Sequence, residues 1–296
     1  MTENTPKAAR ASKKLELAEA VSRYLPDEVE SLAIGGMHMH NNPMALIREA
    51  VRQKKRIKRL ITSPAACINA DLLIGAGLVE EIVTSYVGFE HLGLAPAFRR
   101  FAQEGKLKVY EIDELTLILG LKATSNGQPF AALSPVLAFS DVSKFSPEFY
   151  RPITNPFNGQ PAFACPPIKP QIAFIAVQQG DEFGNGILKG APFIDREMLF
   201  AAETVLLQVE QLAPSEQITR NPLQVTVPGM KVSAVVEARF GCHPTSCHRV
   251  YHYDEEHLKL YLQMAATNEG FEEYLQKYII GYSEEEYLKR TQSRTL

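Results

Sequence analysis

The residues best able to do chemistry fall in a few short stretches. His38 and His40 stand two apart in the loop Gly35-Gly36-Met37-His38-Met39-His40-Asn41-Asn42-Pro43. In extended chain such a pair points to one side. The ordinary pKa of histidine lies near neutrality, so the two could carry protons. Gly35 and Gly36 would let the backbone approach a ligand closely, and free amides at a helix start favour anions. The loop matches neither the dinucleotide fingerprint nor the Walker A motif.

Carboxylates form a second set. Glu90 follows Gly88-Phe89, and Glu111, Asp113 and Glu114 occupy a strand-to-helix junction. A carboxylate at a helix start is stabilised by the helix dipole, so capping is one role. A carboxylate at a strand end also stands where α/β proteins bind ligands, so catalysis is the other role open to Glu114. A third set, Cys242, His243, Cys247, His248, His252 and His257, crowds into sixteen residues. All are zinc ligands by type. Their spacings match no common structural site, so they read as polar loop residues near a ligand pocket and no metal is assigned. The stretch Gly180-Asp181-Glu182-Phe183-Gly184-Asn185-Gly186 reads as a tight turn. No serine sits in a Gly-x-Ser-x-Gly elbow.

The elements that must position these groups alternate about every 25 residues. Strands are predicted at 31–34, 59–62, 81–87 and 108–112, with helices at 43–53, 70–76, 96–103 and 114–126 between and after them. Asn41 and Asn42 are placed to cap the second helix of the chain, and Pro43 suits its first turn. The segment 145–170 is rich in Pro, Asn and Gly and reads as an irregular excursion. Further strands are predicted at 172–178, 204–209 and 232–237, and a helix at 193–203. This alternation predicts a mostly parallel sheet with helices on both faces, an open α/β/α sandwich. Residues 1–30 read as an N-terminal tail and helix, 31–254 as the α/β domain, and 255–296 as a helical C-terminal tail.

Of the 296 residues 45% are hydrophobic and 22% charged, enough apolar material for a sizeable core. The formal net charge of −3 gives no electrostatic reason to expect nucleic acid or a membrane as partner. The basic run at 52–59 reads as a solvated helix end. Four cysteines make no disulfide framework, and the polar start at 1–14 lacks the apolar core of a signal peptide. A soluble, reducing, cytoplasmic setting is expected.

Several blocks together resemble the A subunits of family I CoA-transferases. They are Ile34-Gly35-Gly36 followed by Pro43-Met44-Ala45-Leu46; Gly88-Phe89-Glu90-His91-Leu92-Gly93-Leu94-Ala95-Pro96; Glu114-Leu115-Thr116-Leu117 followed by Gly127-Gln128-Pro129-Phe130; Asp181-Glu182-Phe183-Gly184-Asn185; Val227-Pro228-Gly229; and His243-Pro244. The segment Ala201-Ala202 to Val209-Glu210 is also similar, with Glu203 where the family has lysine. The resemblance spans roughly residues 31–254. It implies a CoA-transferase-like fold and an active site shared with a B subunit that carries the nucleophilic glutamate. It also implies a CoA thioester as substrate, with CoA moving between an acyl-CoA and a small acid, dicarboxylic acids included, and no permanently bound cofactor. Substrate-binding residues would be Gly35, Gly36, Met37, Asn41, Asn42 and Glu90. The family also contains hydrolases and decarboxylases of CoA esters. In the hydrolase branch Glu114 matches the base, with His38 and His40 as proton carriers beside it.

Overall fold

The computed structural model describes residues 10–292. Residues 1–9 of the polar start lie outside them. In chain order the first half contains α1 (Leu17–Tyr24), β1 (Glu28–Ile34), α2 (Met44–Arg52), β2 (Arg56–Thr62), α3 (Ile68–Gly75), β3 (Val79–Thr84), α4 (Pro96–Gln103), β4 (Lys108–Glu111) and α5 (Glu114–Ser125). Then come β5 (Ala131–Leu133), α6 (Val142–Phe145), β6 (Arg151–Thr154) and β7 (Pro161–Cys165). The chain continues through β8 (Ile172–Gly180), β9 (Gly186–Ile187), α7 (Asp195–Ala201), β10 (Thr204–Leu212), α8 (Ser215–Thr219) and β11 (Ala234–Glu237). It ends with α9 (Glu255–Met264), α10 (Asn268–Tyr278) and α11 (Glu284–Gln292).

The main sheet runs β11-β10-β8-β1-β2-β3-β4 with every pair parallel, and only the short β9 joins β8 antiparallel. Successive strand residues face opposite ways. Leu32 and Ile34 therefore enter one core, under α1 to α4 and the C-terminal helices, while Ala33 enters the other, under α5 and α7. The same split recurs at Leu60 and Ile61, Ile82 and Val83, Phe174 and Ile175, and Leu206 and Leu207. Burial on both faces explains why β8 reads as an unbroken apolar run rather than an alternating one. Each Leu or Ile fully buried this way contributes about 1.5–3 kcal/mol.

The excursion is more regular than its composition suggests. It begins earlier, at Ala131, and forms a three-stranded antiparallel sheet in the order β5-β7-β6. The basic run at 52–59 is consumed by ion pairs. Across β1 and β2, Arg56 meets Glu28 and Lys58 meets Glu30, while Lys55 reaches Asp27 and Arg59 reaches Glu81. The three C-terminal helices supply Leu258, Tyr261, Phe271, Tyr274, Tyr278 and Tyr287 to the first core. None of the helices among the described residues is long and apolar enough to cross a membrane.

Strand order fixes where a ligand can sit. From β1 the chain winds outward through β2, β3 and β4, then returns to β8 on the other side of β1 and winds out to β11. The winding reverses between β1 and β8. In an open parallel sheet the loops leaving the carboxyl ends of such a pair diverge and leave a crevice between them.

Candidate functional site

The crevice is formed by the loop after β1, the loop after β8 and the segment after β11. Gly36, Met37, His40 and Asn41 line it from the first, Pro192, Phe193 and Asp195 from the second, and His248 from the third, around a cavity of about 200 Å³. A larger cavity of about 460 Å³ lies beside Glu30, Ser31, Lys58, Arg59 and Lys169. It opens beside the sheet rather than among the loops at the carboxyl ends, so the smaller one is the better candidate.

The loop after β1 is held from several sides. Gly36 has φ +85°, and a Cβ there would meet backbone of Asn41 and Asn42 within 3 Å, so only glycine fits. Its amide donates to Asp195 Oδ1 at 2.9 Å. Gly35 is packed so tightly that a Cβ would lie 2.8 Å from the same oxygen. Asn42 is fully buried; its Nδ2 donates to the His38 carbonyl at 2.7 Å and its Oδ1 accepts from Asn69 at 2.7 Å. Asn41 Oδ1 accepts from Gln178 Nε2 at 2.9 Å and from the His248 amide at 3.1 Å, tying all three segments together.

Neither asparagine side chain caps α2. Gln208, from β10, accepts from the amides of Ala45 at 3.1 Å and Leu46 at 3.4 Å instead. A partner more than 160 residues away in sequence has replaced the local cap, and the asparagines are released to brace the loop.

His38 and Glu90 meet. His38, at φ +49°, pairs through Nδ1 with Glu90, which lies at φ +53° in the loop after β3. Both side chains are partly exposed, and Tyr86 stands edge-on to His38 with ring centres 6.3 Å apart. His40 turns the other way: its Nδ1 lies 2.5 Å from Ser246 Oγ, and its ring is edge-on to Tyr253. Burial, with His38 and His248 nearby, lowers the pKa of His40 and favours the neutral imidazole.

Glu114 lies in the first turn of α5 and is exposed; the cap itself is Asp113, which accepts from the Thr116 amide at 3.0 Å. It shares the carboxyl end of the sheet with the histidine loop. However, β4 lies three strands from β1, roughly 14 Å at the usual strand spacing. The structure thus joins His38 to Glu90 and His40 to Ser246, and leaves Glu114 apart from both.

The Cys–His cluster divides. His243 turns into the core, bonding Tyr287 Oη at 2.7 Å and Asp254 Oδ2 at 3.1 Å; its pKa is lowered mainly by burial. Cys242 and Cys247 are buried and free. His248 alone reaches the crevice. Among the described residues no group of three or more such ligands could hold a metal ion. Burial also pushes the Cys67 thiol up to about 12, which makes it inert. The Asp181 turn is structural as well, its carboxylate accepting from the Phe183 and Asn185 amides and from Ser215.

Asp195 and Ser246 were not singled out from sequence. Asp195 reads there as an ordinary acid at a helix start, and Gly36, its partner, is 159 residues away. Asp195 is 4% exposed, and burial pushes its carboxyl up to about 7 against the pull of the Gly36 amide.

Comparison with known proteins agrees with the fold. The family model described as Coenzyme A transferase matches residues 14–238. An uncharacterized protein of Archaeoglobus fulgidus is 32% identical over 93% of this chain, which spans only 61% of that protein's length. The A subunit of glutaconate CoA-transferase from Acidaminococcus fermentans is 28% identical, covering 94% of this chain and 92% of that one. The cholesterol ring-cleaving hydrolase IpdA subunit of Rhodococcus jostii is also 28% identical, over 94% and 95%. The crystal structure of the Acidaminococcus fermentans transferase superposes with a TM-score of 0.89 at 27% identity, over 96% of this chain and 94% of that one. A decarboxylase, AibA/AibB, superposes with a TM-score of 0.78 at 27% identity, over 90% and 100%.

Proposed function

We propose, from the premise that the chain belongs to the coenzyme A transferase family and to its A-type subunits, that it forms one half of a two-subunit enzyme moving CoA between an acyl-CoA and a small acid. The partner is a CoA-transferase-like B subunit carrying the nucleophilic glutamate. One observation carries this division of labour. Among the described residues the one carboxyl lining the crevice, Asp195, is buried and committed to Gly36, so it is poorly placed to attack a thioester. This chain then contributes the crevice, its backbone amides and the selection of the acyl group.

In the proposed reaction the partner's glutamate attacks the thioester carbonyl and expels CoA as thiolate, leaving an acyl anhydride. The thiolate attacks the glutamyl carbonyl and releases the first acid as carboxylate. The second acid repeats the sequence in reverse and leaves as its CoA thioester. Two easier steps replace one hard one. Coenzyme A is a substrate here and no resident cofactor is needed.

Producing the chain with its partner and offering acyl-CoA should yield a hydroxylamine-sensitive glutamyl-CoA adduct on the partner. The chain alone should transfer no CoA; robust transfer by it would overturn the two-chain model.

The His38–Glu90 pair supports a second reading, hydrolysis or decarboxylation of a CoA ester, in which these two groups move protons in place of the more distant Glu114. His38→Ala separates the two. If CoA transfer is the reaction, the covalent work is the partner's and kcat should change by less than about tenfold. A fall of about 10²-fold or more, the usual contribution of a general acid or base, would move the assignment to the second reading.

A further inference from the structure

The crevice has a solvent-open neighbour, with Leu223, Thr226 and Arg196 exposed on its walls. This second cavity, of about 360 Å³, shares Pro192 and Asp195 with the crevice and lies between α7 and residues 223–228. Its walls include Ile175, Leu188, Leu199, Phe200, Val225 and Val227. Asp195 stands where the two spaces meet, with Oδ1 fixed by the Gly36 amide at 2.9 Å. A molecule whose reactive carbonyl lies at the Gly35–Gly36 loop can therefore extend past a buried carboxyl group into an apolar chamber.

We infer that this chamber receives the acyl end of the CoA thioester, and that Asp195 at its neck restricts the site to uncharged, largely apolar acyl groups. The inference rests on the CoA-thioester reading above. The volume falls within the range of small-molecule sites, and apolar walls with few polar groups are their usual lining. Each methylene moved from water into such a chamber improves binding about fourfold. A terminal carboxylate has the opposite effect once Asp195 is ionised, because it must then pass a like charge. Arg196 also borders the chamber, but it is exposed, with its guanidinium 5.8 Å from the Phe200 ring centre, so water screens its charge.

The test is calorimetric binding to the assembled two-subunit protein at pH 8, above the value near 7 to which burial raises Asp195. The probes are CoA, acetyl-CoA, pentanoyl-CoA and glutaryl-CoA; the last two have five acyl carbons each. Pentanoyl-CoA should bind at least tenfold tighter than acetyl-CoA, and glutaryl-CoA no tighter than acetyl-CoA. Val225→Trp, placed at the chamber's rim, should bring pentanoyl-CoA down to the acetyl-CoA level and leave CoA unchanged. Asp195→Asn keeps an acceptor for Gly36 and removes the charge, so glutaryl-CoA should gain at least tenfold. Equal affinities for acetyl-CoA and pentanoyl-CoA, with CoA itself bound, would overturn the inference alone. So would tight glutaryl-CoA binding that Arg196→Ala abolishes. Failure to bind CoA or any CoA ester would instead overturn the reading beneath it. The acyl series uses unaltered protein, so a variant that does not fold leaves the test intact.

Discussion

Arg48→Ala is expected to destabilise the protein by about 3–5 kcal/mol, the range for removing one partner of a buried ion pair. Arg48 is 1% exposed on α2. Its guanidinium forks onto Glu284 of α11, with Nε 3.1 and 3.0 Å from the two carboxylate oxygens. It also donates to the carbonyls of His243 and Gly241 and lies 4.0 Å over the Tyr287 ring. Burial alone would push the Glu284 carboxyl up, yet Arg48 and Arg52 outweigh it and hold the carboxyl below its ordinary value. Without Arg48 that carboxylate is left buried with Arg52 alone, and the His243 carbonyl loses its donor, while Gly241 keeps the Ala45 amide. Urea unfolding of the variant measures the loss. Arg48→Met paired with Glu284→Gln should lose much less than Arg48→Ala, because no uncompensated charge remains. Stability within 1 kcal/mol of the parent would show that the clamp contributes little. The clamp also bears on function, since the carbonyls it grips begin the segment that delivers Ser246 and His248 to the crevice.

That link shows what the sequence made legible and what it did not. The parallel sheet could be read because each strand carries its burial pattern locally and each helix lies between two strands. The glycine loop could be read too, since the reasons for glycine at Gly36 lie within six residues, at Asn41 and Asn42. Long-range replacements were invisible. Gln208 took over the capping that Asn41 and Asn42 are spaced to perform. His243 read as a polar loop residue near a pocket, like His248, but Tyr287 and Asp254 draw it into the core. The C-terminal segment read as a helical tail, yet Tyr261 and Tyr274 are fully buried against each other in the main core. Each outcome depends on a partner far along the chain, and local pattern carries no record of such partners. The same limit hid Asp195, whose significance lies in touching Gly36.

Gly36→Ala should lower kcat/KM of the assembled enzyme about 10²-fold, whether the reaction proves to be transfer, hydrolysis or decarboxylation. The reason is geometric. At φ +85° an alanine is strained in itself, at a cost of order 1–3 kcal/mol. Its Cβ would also lie 2.8 Å from Asn42 Cα and 2.9 Å from the Asn41 carbonyl oxygen. Both are backbone atoms, so no rotamer change relieves the contact and the loop itself must move. That loop carries Met37, His38, His40 and Asn41, and a shift near 1 Å in reacting groups typically costs about 10²-fold. Strain and displacement can be separated with Gly77→Ala. Gly77 also has positive φ, at +69°, but a Cβ there meets nothing within 4 Å, and the turn from α3 into β3 lies at the opposite end of the sheet. Gly77→Ala should therefore lose stability and keep its turnover, whereas Gly36→Ala should lose both. If folded Gly36→Ala turned over at the parent rate, the glycine loop would not face the reacting carbonyl. The crevice between β1 and β8 would then have to yield its place to the loops over β3 and β4, where Glu90 and Glu114 stand.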